Sequence, residues 1–450
     1  MSDQALTPVT PQAQAPIQIH RAPLVFPDAQ RAIRDGAVAV AEGAIVAVGP
    51  HDEIRAEVHA RLAGAGSGDA AVETHEWSGV LTPGLVNAHT HLQYTDMAVL
   101  GHGSYTSFEH WAAKFGELYD LEHDWGAAAS DGVALSLRAG TTAVAEIVTD
   151  ASARSAVHDG GLHGITFWEV FGWKEQAWLD RGEPTVLSEL ETVPTPPARG
   201  LSPHALYSLD TVALRSLARI AETLDVRLHI HAAESASEDE FARTGTGMLA
   251  DRWRELGHPD LALLAEGGSG MGVMPYLDSL GILSPRTHIA HGIYVDADDR
   301  ALLRARGVAA ALCPRSNRVI GLSEPPVADY LREGNAIAVG TDSLSSSPSL
   351  SVRDDLAALY RIARAQGYSG DDLHARLFAA ATTGGAFALG LDRGDTAIGR
   401  LAAGHRADLA VFETTSGEPR DALAELVEAG GAEATATLVD GILRHRSAPR

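Results

Sequence analysis

PGLVNAHTHL, residues 83–92, reads as a short apolar strand that runs out into two imidazoles, His89 and His91. Downstream of it come seven more short apolar runs, with helical stretches filling the gaps between them. They are TTAVAEIV (141–148), GITFWEVF (164–171), GLSPH (200–204), VRLHIH (226–231), THIAH (287–291), VAAALC (308–313) and AIAVG (336–340). DTVALRSLARIAETL (210–224) and DLAALYRIARAQ (355–366) carry the helical pattern in between. Strands that alternate with helices favour a parallel sheet. Eight such units between residues 81 and 390 predict an α/β fold, a (β/α)8 TIM barrel with insertions, whose chemistry sits where the strands end. An open doubly wound sheet is the runner-up. No G-x-G-x-x-G follows a strand, so no dinucleotide is expected.

Outside this region the pattern changes to strands and turns. IQIHRAPLVF (17–26) and GAVAVAEGAIVAVG (36–49) open the chain, and RADLAVFE (406–413) and ATATLVDGILRHR (434–446) close it. Residues 17–80 together with 391–450 are expected to build one small β-sandwich from both chain ends. Residues 1–16 are polar and Pro-punctuated and read as a disordered tail without the features of a signal peptide. No apolar run approaches the roughly 18 residues that span a bilayer, so a soluble, cytoplasmic protein is expected.

The net charge of −24 argues against nucleic acid and anionic membrane as partners. A homodimer is the default expectation for assembly. A single Cys excludes disulfide scaffolds, Cys-rich metal sites and the H-x-E…P-C-x-x-C deaminases with two thiolates on zinc. With 20 His against one Cys, any transition-metal site here is built from imidazole and carboxylate.

The strand ends supply both. His89 and His91 close the first strand, and a two-residue spacing on a strand puts both rings on one face. The fifth strand runs into His229-Ile230-His231 and then Glu234. The sixth ends in His291, and the eighth runs into Gly340-Thr341-Asp342. A barrel brings these ends together, and three imidazoles plus a carboxylate with open positions suit a hydrolytic Zn or Fe(II) site. His229 is expected to be a hydrogen-bonded structural residue, and Cys313 a core residue. The acid-rich run 235–240 is expected to be solvated first-turn carboxylate.

PGLVNAHTHL, the H-x-x-E of HIHAAE, the strand-six His of HIAHG, CPRSN and GTDS together resemble the amidohydrolase superfamily, in its nucleobase and nucleoside deaminase branch. The resemblance spans nearly the whole chain. It implies one divalent metal ion, zinc or alternatively iron, held by His89, His91, His231 and Asp342. Glu234 and His291 are then the proton-handling pair, with Asp342 serving as ligand and base. No Lys ends strand four, only Ser202-Pro203-His204, so a mononuclear site is expected. His204 resembles a substrate-contacting position.

Gln93, Glu146 and Glu169 are the further candidates for substrate contacts, because they lie just past or at strand ends. An unpaired carboxylate there needs a partner, either substrate or an internal Arg. SFEHWAAKFGELYD (107–120) is an aromatic amphipathic segment, either a lid over a planar base or an ordinary docking helix. AHTHLQYT, SFEHW and WEVFG are similar to aminodeoxyfutalosine deaminases of the menaquinone pathway. That implies hydrolytic deamination of an adenine-type ring on a small nucleoside-like substrate. Methylthioadenosine, S-adenosylhomocysteine and adenosine deaminases are the alternatives, then guanine, pterin and triazine aminohydrolases. A barrel kept as a non-catalytic scaffold, and an amide-bond hydrolase, are the readings from other classes.

Overall fold

The computed structural model describes residues 16–64, 72–431 and 433–448; the expected tail lies almost wholly outside them. Eight parallel strands form the central sheet. They are β1 (Leu85–Thr90), β2 (Thr141–Val148), β3 (His163–Val170), β4 (Ala198–Pro203), β5 (Leu228–Ala232), β6 (Thr287–His291), β7 (Ala309–Leu312) and β8 (Ile337–Val339). Each strand pairs in parallel with its sequence neighbour, so the spatial order follows the chain order from β1 to β8. β2 and β5 to β8 are buried at every position, which is why they read as continuous apolar runs rather than alternating ones.

The barrel closes at its mouth. The backbone N–H groups of Thr341 and Asp342, just past β8, donate to the His89 carbonyl of β1 at 3.1 and 3.0 Å. Asn87 seals the same seam, accepting from Thr341 N at 3.1 Å and donating to Thr341 Oγ1 at 2.7 Å. Gly340 permits this approach, since a Cβ there would stand 2.7 Å from Cys313 Sγ and 2.8 Å from His89 Cβ.

Both chain ends join in a separate eight-stranded sheet. Strands from the N-terminal 83 residues and from Leu409–Phe412, Ala436–Val439 and Ile442–Arg446 hydrogen-bond to one another through the Val80–Pro83 strand. One face packs Val25, Val38, Leu81, Leu409 and Leu438 together. The other receives Ile54 and Val58 of the helix His51–Gly64. Among the described residues no helix is long and apolar enough to cross a membrane.

Candidate active site

Three residues that follow or end barrel strands have left-handed backbones without being glycine: Ala233 (φ 51°), His291 (φ 71°) and Asp342 (φ 57°). Such conformations cost about 1–3 kcal/mol each and persist where the surroundings over-determine them. They turn the chain sharply at β5, β6 and β8, so that Glu234, His291 and Asp342 share one space with His89, His91 and His231. That is the gathering expected from the strand ends.

The hydrogen bonds around the imidazoles define their tautomers. His229 Nδ1 lies 3.0 Å from the His288 carbonyl, which can only accept, so His229 carries its proton there. Its Nε2 is then an acceptor for His89 Nδ1–H at 2.7 Å, which leaves His89 Nε2 a bare lone pair. His231 Nδ1 likewise donates to the His204 carbonyl at 3.0 Å, freeing its Nε2. That atom stands 3.4 Å from His91 Nε2. Asp342 Oδ1 lies 3.6 Å from His89 Nε2 and 3.8 Å from His91 Nε2. Burial lowers the basicity of all three imidazoles, His91 to about 3, which keeps them neutral and able to ligate. His229 is therefore the structural residue the sequence suggests, and its structural task is to aim His89.

Asp342 is buried, and three hydrogen-bond donors from the chain favour its ionised form. Ser316 and Ser346 hydroxyls donate to its Oδ2 at 2.6 and 2.8 Å, and Ser343 N donates to Oδ1 at 2.8 Å. Glu234 Oε1 stands 3.4 Å from His291 Nε2. Burial, opposed by His231, pushes the Glu234 carboxyl up to about 7. His291 Nδ1 donates to Asn317 Oδ1 at 3.0 Å, so its Nε2 faces Glu234 as an acceptor. Ser316 and Asn317 belong to the CPRSN segment, which marks the family without announcing these roles.

A cavity of 290 Å³ opens over this cluster, with His204, Glu169, Tyr94 and Tyr207 in its wall. Glu169 Oε1 is buried and finds no hydrogen-bond partner among the described residues, and burial, reinforced by Asp342, pushes its carboxyl up to about 8. His204 Nδ1 is taken by Ser208 Oγ at 2.9 Å. Gln93 and Glu146 are not brought to the cavity, contrary to the expectation of substrate contacts. Gln93 donates to Thr149 Oγ1 at 2.5 Å and accepts from Thr149 N at 3.0 Å. Glu146 receives Leu92 N on both oxygens at 3.0 Å, pinning the turn that follows His91. The chain's own amides satisfy both.

The 235–240 run departs from expectation at Glu238, while Asp239 and Glu240 do reach solvent. Glu238 is fully buried, and its Oε2 accepts from Glu234 N at 2.8 Å. The signal was present in Ser235-Ala-Ser-Glu238, an S-x-x-E start in which Ser235 Oγ accepts from Glu238 N at 3.2 Å. Segment 107–120 forms the helix Phe108–Tyr119, N-capped by Ser107. It lies over the mouth, tied down by Trp111 Nε1 donating to the Ser345 carbonyl at 3.0 Å and by Ser237 Oγ donating to Glu109 at 2.8 Å. Cys313 is buried, and burial raises its thiol well above the usual value.

At 3.4 Å the His91 and His231 Nε2 atoms are close enough to share the N–H of one neutral ring or, with both lone pairs turned inward, to converge on one cation. Three such nitrogens and one carboxylate oxygen fit a divalent ion of the zinc or iron kind. The class is thus a parallel-barrel hydrolase with a metal-binding mouth. The chain belongs to the Amidohydrolase family, whose pattern matches residues 80–443.

It is 30% identical, over 89% of its own length and 84% of the other's, to a 5-methylthioadenosine/S-adenosylhomocysteine deaminase of Nitratidesulfovibrio vulgaris (strain DSM 19637 / Miyazaki F). It is 30% identical to an aminodeoxyfutalosine deaminase of Deinococcus radiodurans, over 71% of this chain and 75% of that one. Among solved structures, the Helicobacter pylori aminofutalosine deaminase with methylthio-coformycin shares the fold. Its TM-score is 0.78 at 20% identity, covering 95% of this chain and 99% of that one.

Proposed function

We propose that the chain is a hydrolytic deaminase that replaces the exocyclic amine of an adenine-type ring with a carbonyl, releasing ammonia. The observation that carries this is Glu234, a buried carboxyl near neutrality beside the His291 Nε2 acceptor, at the edge of four converging metal-binding donors. His89, His91, His231 and Asp342 would hold the ion. When bound, a divalent cation supplies a water that ionises near pH 7.

Glu234 in its acid form protonates the ring nitrogen next to the amine-bearing carbon, which makes that carbon electrophilic. His291 Nε2 takes the first proton of the attacking water. Asp342 Oδ1, which faces His89 and His91, would ligate the ion, while Ser316 and Ser346 hold its Oδ2. The protonated His291 returns its proton to the departing amine, which leaves as ammonia. The hydroxyl proton of the addition product passes to the Glu234 carboxylate as the ring carbonyl forms, which restores both residues.

The unpaired Glu169 Oε1 in the wall suits the hydroxyls of a sugar, and His204 lines the same space. A nucleoside, rather than a bare base, is therefore the substrate class. Aminodeoxyfutalosine is the favoured member, supported by the similarity to the Deinococcus radiodurans deaminase and by the aromatic rings of Phe108, Trp111 and Phe115 in the cavity wall. The second reading, methylthioadenosine or S-adenosylhomocysteine, is favoured by the longer match to the Nitratidesulfovibrio vulgaris deaminase.

The test is ammonia release across aminodeoxyfutalosine, methylthioadenosine, S-adenosylhomocysteine, adenosine, guanine and aminopterins, with metal content measured on the same preparation. Activity on aminodeoxyfutalosine no greater than on adenosine retires the favoured substrate. No ammonia from any of them, with no bound divalent ion, supports a scaffold protein. For Glu234→Gln, the metal is expected to stay while turnover collapses.

A further inference from the structure

Arg315 stands between Pro314 and Ser316 in the CPRSN segment, and its side chain is buried. A guanidinium carries five N–H donors in a fixed planar fork, and here each of its three nitrogens is engaged. Nε and Nη2 donate to Asp355 Oδ2 at 3.0 and 2.7 Å. Nη1 donates to Ser349 Oγ at 2.7 Å and to Asp354 Oδ2 at 3.2 Å. Nη2 also reaches the carbonyls of Ser349 and Ser351, at 2.8 and 3.2 Å. Asp355, fully buried, completes the clasp by accepting from Arg315 N at 3.2 Å.

The clasp grips the loop 343–351, which has neither helix nor strand of its own. This loop leaves the barrel at Asp342, whose backbone is left-handed, and turns back on it twice. Ser343 N donates to Oδ1 and Ser346 Oγ to Oδ2. The other hydroxyl on Oδ2 is Ser316 Oγ, from the residue after Arg315, and it also donates to Ser346 Oγ at 2.9 Å. Arg315 thus joins the two segments that meet on Asp342 Oδ2: it precedes one hydroxyl in the chain and holds the far end of the loop that carries the other. Stability is a weak reason for such a buried ion pair, because apolar residues of similar volume often serve as well. Apolar residues cannot fix the carbonyls of an irregular loop, and a Lys offers three donors without the planar fork.

We propose that Arg315 is a positioning residue for the metal centre, whose clasp keeps Ser316 and Ser346 on Asp342 Oδ2 and so aims Oδ1 toward His89 and His91. This rests on the proposed role of Asp342 as a ligand. When the clasp is broken, the loop relaxes and the two hydroxyls leave Oδ2. The carboxylate is then free to rotate, and the strained turn at Asp342 loses what over-determines it. The loss appears in the hold on the ion.

A double-mutant cycle tests this. Zinc-loaded wild type, Arg315→Lys, Ser346→Ala and the double variant are each equilibrated with a chelator of known zinc affinity. The temperature is one at which all four are folded by circular dichroism. Each single substitution is expected to weaken zinc binding about tenfold. The double variant is expected to lose no more than the weaker single, because both substitutions break the same support. A merely structural arginine would lower Tm and leave the zinc affinity of Arg315→Lys unchanged, which overturns the proposal. A double loss equal to the product of the singles, about 100-fold, overturns it too, since Arg315 would then not act through Ser346. If Arg315→Lys does not fold, Asp355→Asn takes its place in the cycle, with the same expectation and the same refutations. A wild type that retains no divalent ion refutes the ligand role of Asp342 and the clasp with it. Zinc held equally by wild type and Arg315→Lys refutes the clasp alone.

Discussion

Alkaline pH should loosen the seam between the barrel and the terminal sheet through one residue. His163 opens β3 on the N-terminal face of the barrel, away from the candidate active site. Its Nδ1 lies 2.8 Å from Asp408 Oδ2 and its Nε2 2.9 Å from Asp440 Oδ2, both carboxylates belonging to the C-terminal segment. An imidazolium donates to both carboxylates; Arg406 Nη1, which pairs with Asp440 at 3.0 Å, also stands 2.5 Å from His163 Nε2 and opposes the charge. Burial opposes the charge, but Asp408 and Asp440 more than offset it and push His163 from 6.5 up to about 9.

Because the folded value exceeds the unfolded one, the stabilisation is complete below pH 6.5 and disappears as the pH rises through about 9. A gap of about 2.5 units corresponds to about 3 kcal/mol, with little screening because the ring is 14% exposed. For a chain of this length each kcal/mol moves Tm by about 1 °C. Thermal unfolding of wild type and His163→Gln, compared at pH 6 and pH 10, is expected to show the wild type losing about 3 °C more than the variant. Parallel pH profiles would refute the ion-paired imidazolium and leave His163 a neutral hydrogen-bonding residue.

Glu238→Ala removes the acceptor that fixes Glu234 N. Turnover should fall about tenfold with metal content unchanged, while Glu238→Gln, which keeps an oxygen there, should stay near wild type; equal activity in all three proteins would deny Glu238 a positioning role. His229→Leu releases His89 Nδ1, and divalent-ion affinity measured by calorimetry on the metal-free protein is expected to drop about 10- to 100-fold. An unchanged affinity would mean that other contacts aim His89. Glu146→Ala should cost about 1–3 kcal/mol in denaturant unfolding by stranding the Leu92 amide; a raised KM with intact stability would instead restore it as a substrate contact.

The barrel was legible because its parallel strands are covered on both faces. Most appear as short, largely apolar runs, and every observed strand end falls within two residues of its expected place. Strand-end position also sufficed to collect His89, His91, His231, Glu234, His291 and Asp342, since the fold alone brings such ends together. It could not separate Glu146 from Glu169. Both are acids near the ends of adjacent strands, and what distinguishes them is the turn after His91, whose amides capture one and leave the other facing the cavity.

The backbone strain was hidden for a different reason. Left-handed turns usually announce themselves through glycine, and at two of the three sharp turns of the site glycine is unusable because the turning residue must itself carry the working side chain, His291 or Asp342. Ala233 makes the third turn, immediately before Glu234. Of the seven non-glycine residues with positive φ among the described residues, three are therefore working groups or the immediate neighbour of one. Relaxing any of these turns should remove a working group from the site before it unfolds the barrel.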